Sequence, residues 1–148
     1  MSAASYVQYC YLARFSKPRA HRLIYRKIRE LQATRIVEFG IGNCELAQRM
    51  ISVAAMTASE HVGYTGIDLF ELRAAGQPSL SLKNAYRELK SSGAQIKLVP
   101  GDPFAALSKK ANSLIGCDLL VIHADQQGPA MEQAWFYVPR MLHDRSLV

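Results

Sequence analysis

The chain has 148 residues, 49% of them apolar and 20% charged, the size and balance of one globular domain that buries its own core. Its three cysteines, Cys10, Cys44 and Cys117, are odd in number and far apart, which argues against a disulfide framework or a CxxC zinc site and suits reduced thiols in a cytoplasmic protein. The net charge of +6 favours anionic partners; no apolar run spans a bilayer and no signal-peptide layout opens the chain, so no membrane role is expected.

Residues 1–18 are mixed and aromatic-rich and read as an N-terminal extension or short helix. Pro18 stands where a helix can start, since its missing N–H would be unpaired there. Arg19–Gln32 has helical spacing. Ala20, Leu23, Ile24, Ile28 and Leu31 share one face, expected to pack on the core. Arg19, Arg22, Arg26 and Arg29 share the opposite face, expected in solvent. Seven Lys or Arg residues and no acid lie between Arg14 and Arg29. Arg35–Phe39 is short and β-prone and runs into Gly40-Ile41-Gly42. Glu45–Thr57 resumes helical spacing through Leu46, Met50 and Ala54. Tyr64–Leu69 is a second strand, followed by a long loop, Phe70–Pro78. Ser79 is expected to cap a helix carrying Leu82, Ala85, Tyr86 and Leu89, closed by Ser92-Gly93. Gln95–Val99 is a third strand and Pro103–Ala111 a short helix. Asp118–Ile122 is an apolar run suited to a strand buried on both faces. Pro129–Val138 reads as a helix ended by Pro139, and Ser146–Val148 as the start of a fifth strand.

This alternation predicts a three-layer, Rossmann-like α/β domain over residues 19–148. Its sheet is mostly parallel, of about five strands, with helices on both faces and right-handed crossovers. Such sheets take ligands beyond the carboxyl ends of their strands. The first strand ends in Glu38-Phe39-Gly40-Ile41-Gly42-Asn43-Cys44-Glu45, where glycines permit a tight turn and close approach of a ligand. The second ends in Gly66-Ile67-Asp68, a carboxylate able to accept hydrogen bonds from ribose hydroxyls. The third ends in Pro100-Gly101-Asp102. Three strand ends thus carry an acid on one edge.

In these four motifs, Val37–Gly42, Tyr64–Asp68, Leu98–Asp102 and Asp118–Ile122, the chain resembles class I S-adenosylmethionine (SAM)-dependent methyltransferases. The resemblance covers roughly residues 19–148. It implies Glu38 near the methionine end of the cofactor, and Gly40 and Gly42 where the cofactor passes close to the backbone. Asp68 would hold the ribose hydroxyls, with Leu69 or Phe70 against the adenine and Asp102 at its amino group. The sequence departs from the family pattern at Cys44, where a third glycine often stands. It also departs at its end, since family members usually continue beyond a fifth strand. The domain is therefore read as truncated or unusually minimal at its C-terminal end.

NAD is the competing cofactor. Its GxGxxG fingerprint lacks the third glycine here, because Glu45 holds that position, and a glutamate two residues before the first glycine is a poor neighbour for a pyrophosphate. SAM has no phosphate and carries a sulfonium and an ammonium, so acids suit it.

The fourth strand ends in His123-Ala124-Asp125, where a methyl acceptor would meet the cofactor. His123 is the candidate general base, with Asp125 beside it. The segment is similar to the acid-Ala-acid sequence of some metal-dependent O-methyltransferases with its first acid replaced, and the sequence places no further metal ligands. Trp135, Phe136 and Tyr137 cannot all face the core, so one is a candidate for an acceptor pocket. The acceptor is expected to be a small molecule. The alternatives are nucleic acid held by Arg19, Arg22, Arg26 and Arg29, or a non-catalytic SAM- or nucleic-acid-binding module.

Overall fold

A computed structural model of the chain describes residues 2–77 and 80–148. In chain order the helices are α1 (Ala3–Arg14), α2 (Arg19–Leu31), α3 (Glu45–Thr57), α4 (Leu82–Lys90), α5 (Pro103–Lys110), α6 (Pro129–Ala134) and α7 (Val138–Met141). The strands are β1 (Arg35–Phe39), β2 (Gly63–Asp68), β3 (Gln95–Pro100), β4 (Cys117–Ile122) and β5 (Leu142–Leu147). They form one parallel sheet in the order β3-β2-β1-β4-β5. The expected Rossmann-like α/β architecture is thus the observed one, and its order reverses between β1 and β4, where such sheets take ligands.

Side chains alternate across the sheet. Ile36, Tyr64 and Leu119 face α1–α4 and pack with Ile28, Met50, Ile51 and Leu89. Val37, Phe39, Ile67 and Leu120 face the other way, onto Leu107, Met131, Val138 and Met141 of α5–α7. α1 joins the first layer through buried Tyr9, Leu12 and Ala13.

Five local expectations are corrected. On α2, Ile28, Ile24 and Leu31 face inward as expected, but Ala20 and Leu23 do not: Leu23 is 53% exposed and Tyr25 is buried in its place. The reason is that α2 packs against α1 and α3, so these neighbours help choose its buried arc. For the same reason the arginine face is not wholly in solvent. Arg22 Nε donates to the Ser16 carbonyl at 2.8 Å, and the Arg29 guanidinium lies 4.6 Å over the Tyr9 ring. Ser79 lies outside the described residues; Ser81 caps α4, its hydroxyl accepting the Asn84 N–H at 3.2 Å. Pro139 does not end a long helix: α6 stops at Ala134, and Pro139 sits in the first turn of α7, where proline costs no hydrogen bond. β5 begins at Leu142, earlier than its apolar end suggests, because its first residues are half-buried or exposed.

Candidate active site

The turn after β1 is built from residues with positive φ: Gly40 (84°), Gly42 (59°) and Cys44 (66°). Cys44 therefore occupies a left-handed position that glycine adopts without strain. Its side chain is fully buried, and burial, then Glu38, push its thiol up to about 12. Ile41 folds back over β2 into the space left by Gly66, where a Cβ would meet Ile41 Cδ1 at 2.2 Å. A Cβ on Gly40 would meet Gln126 Nε2 at 2.9 Å and Asp125 Oδ1 at 3.0 Å, so the loop after β4 lies directly on this turn.

Register brings Glu38 opposite Gly66 on one side and Val121 on the other. His123 lies two residues past Val121, on the same face of the sheet as Glu38. Its Nε2 is 2.6 Å from Glu38 Oε1, and the Tyr64 hydroxyl donates to Glu38 Oε2. Glu38 is fully buried with both oxygens engaged. Its partner His123 has a side chain 28% exposed. Burial raises the Glu38 carboxyl above its usual range, against the hydrogen bonds from His123 and Tyr64. The bond to Glu38 raises His123 in turn, against burial.

The end of β2 is arranged differently. Asp68 Oδ2 accepts the N–H of Ile41 at 2.6 Å and of Gly42 at 3.1 Å, and Oδ1 accepts that of Phe70 at 2.9 Å. Arg73 adds a two-pronged pair, Nε to Oδ1 and Nη2 to Oδ2, both at 2.6 Å. These five bonds exhaust a carboxylate's roughly four lone-pair directions. Burial opposes the Asp68 charge, but Arg73 and the amides outweigh it and hold the carboxyl below the usual range. Arg73 also donates through Nη1 to Asp125 Oδ2 at 2.7 Å. Asp102 caps α5, accepting the Ala105 N–H at 2.9 Å.

Two cavities open on this edge. One, of about 240 Å³, is lined by Gly40, Gly42, His123, Lys17, His21 and Arg49. The other, of about 470 Å³, is lined by Leu69, Leu72, Asp102, Gln126 and Met131. Arg73 and Asp125 line both, so their ion pair is the wall between them. His21 is lowered by burial, then by His123 and Arg49. One cavity thus holds an imidazole that resists protonation and another that favours it.

All eight candidate residues lie on this edge. Gly40, Gly42, His123 and Asp125 line the first cavity, Leu69, Asp102 and Asp125 the second, and Glu38 and Asp68 lie beneath. Sequence reasoning missed Arg73, Tyr64 and His21. Arg73 sits in an aperiodic loop, and its only signal is a cation five residues after a strand-end acid. Trp135 and Phe136 are exposed on the turn between α6 and α7, and neither lines either cavity.

No family model matches the chain, and no curated protein matches it in sequence. Solved structures match it in fold. A methyltransferase from Geobacter sulfurreducens superposes with a TM-score of 0.60 at 18% identity, covering 98% of this chain and 68% of its own. The methyltransferase domain of bacterial CtHen1-CN gives 0.52 at 13% identity, with 86% and 61% covered. A SAM-dependent methyltransferase from Thiobacillus denitrificans, in complex with S-adenosyl-L-homocysteine, gives 0.54 at 15% identity, with 99% and 53% covered. The chain spans about half to two thirds of these structures' length and has the Rossmann-like fold of the SAM-dependent methyltransferases.

Proposed function

We propose that the chain binds SAM along the carboxyl edge of the sheet and transfers its methyl group to an acceptor of small-molecule size. One observation carries this reading: a cavity at the Gly40–Gly42 turn and a cavity at Leu69 and Asp102 are separated only by the Arg73–Asp125 pair. Opened at that pair, they form one groove past Asp68, in the order methionine, ribose and adenine. When bound, SAM supplies an electrophilic methyl on a sulfonium. The chain's own part is to align donor and acceptor and to manage a proton. Asp68 is the residue suited to the ribose, and it becomes available when Arg73 turns away. The bond to Glu38 favours the charged form of His123, so His123 acts as a base only above its raised pKa. His21, lowered below 6.5, is the neutral imidazole of the same cavity. Asp125 fixes Arg73.

Calorimetry with SAM, S-adenosylhomocysteine and NAD tests this. The two sulfur compounds should bind and NAD should not. NAD binding without SAM binding, or no binding by any of the three, would overturn the reading.

A further inference from the structure

The α1–α2 hairpin carries a surface that the strand-end chemistry does not use. Between Ser2 and Arg29 there are seven Lys or Arg residues and no Asp or Glu. Tyr11 and Phe15 are 60% and 66% exposed, and their rings stack with centroids 6.5 Å apart. Arg14, Lys17, Arg19 and Arg26 are exposed, and among the described residues none of them forms an ion pair. Arg22 and Arg29 are engaged otherwise, the first on the Phe15 and Ser16 carbonyls and the second over Tyr6 and Tyr9, so they stiffen the hairpin.

Exposed rings among uncompensated cations are costly as a bare surface: the rings expose apolar area and the charges repel one another. Both features are answered by one kind of polymer, a single strand of nucleic acid. Its phosphates match the cations and its unpaired bases offer π-faces to the rings. An acidic protein matches only the charge. The surface is also continuous with the candidate active site, because Lys17 and His21 line the cavity that holds Gly40 and His123. We infer that the α1–α2 hairpin binds single-stranded nucleic acid, with bases on Tyr11 and Phe15 and phosphates on Arg14, Lys17, Arg19 and Arg26. This extends the arginine stripe of α2 to the aromatic face of α1 and removes Arg22 and Arg29 from the contacts.

The test is fluorescence anisotropy of the whole chain with a short, labelled, mixed-sequence single-stranded RNA. Four single-strand phosphate contacts make affinity fall about 50-fold between about 50 and about 200 mM salt. Arg19→Gln with Arg26→Gln should reduce that fall to about sevenfold. Tyr11→Ala with Phe15→Ala should weaken binding about tenfold or more and leave the salt dependence unchanged. A duplex, whose bases are already stacked, should bind more weakly than the single strand. Circular dichroism melts confirm that these exposed variants are folded. The inference is overturned by no anisotropy change at low salt, by unaltered binding in both double variants, or by tighter binding to phosphatidylserine vesicles than to RNA. A parallel S-adenosylhomocysteine titration separates the two proposals: loss of that binding alone counts against the cofactor reading and leaves the hairpin standing.

Discussion

Glu38 and Asp68 are two buried carboxylates at the ends of adjacent strands, and they are handled in opposite ways. Glu38 is met by a phenol and an imidazole, and burial prevails: its carboxyl holds its proton more tightly than usual. Asp68 is met by three amides and a guanidinium, and they prevail over burial. Burial alone therefore does not decide the charge of a strand-end acid. The number and kind of donors that the fold aims at it do. Asp68 fastens the Gly40–Gly42 turn to β2 and to the loop beyond it. Glu38 couples β1 to β2 and β4 through softer partners, and it leaves a titratable imidazole at the surface.

The largest expected effect comes from breaking the Asp68 side. Asp68→Ala should lower unfolding free energy by about 3–5 kcal/mol, because it leaves three amides and the Nε and Nη2 donors of buried Arg73 without an acceptor, with only Asp125 still on Nη1. Urea denaturation measures this. A loss below about 1 kcal/mol would mean that the turn does not depend on the pair. Next is Gly66→Ala, which forces buried Ile41 off its place and crowds Tyr64 Oη at 3.1 Å. Overpacking of this kind costs about 1–3 kcal/mol, and a neutral result would show that Ile41 has room to move.

Arg73→Ala sharpens the comparison by freeing Asp68. Arginine and a ribose would compete for the same oxygens, so S-adenosylhomocysteine should bind about tenfold tighter to the variant despite its lower stability. A folded variant that loses the ligand would instead make Arg73 a direct contact.

The smallest effect separates the two acids by pH. Asp68 has a folded pKa below its ordinary 3.8. Its contribution is present above that value and is lost as pH falls through the folded pKa. The Glu38–His123 pair binds protons more tightly when folded. Its contribution is complete below the ordinary values and is lost as pH rises through the raised pKa of His123. Glu38→Gln should therefore flatten the fall of stability on the alkaline side of pH 6.5 and return the His123 titration, followed by NMR, toward its ordinary range. Unchanged His123 titration in the variant would mean that Glu38 does not set it.

The sequence by itself determined the order of strands and helices, the single turn at Gly40–Gly42, and the presence of acids at three strand ends. These depend on local properties: side-chain period, β-branched runs and the tolerance of glycine for positive φ. Only the tertiary structure decided what each acid does. Asp102 stays with its own helix as a cap, which adjacent residues arrange. Asp68 is claimed by Arg73, and that contact crosses a loop with no periodicity to read. Glu38 meets Tyr64 and His123 because parallel register lays three separate strands side by side, and no local pattern encodes that register. The inward face of α2 is only partly legible for the same reason: Ile28, Ile24 and Leu31 pack inward, but Leu23 does not. Tyr25 and Leu23 are both apolar, and the choice between them belongs to α1 and α3, whose positions are fixed only once the chain has folded around the sheet.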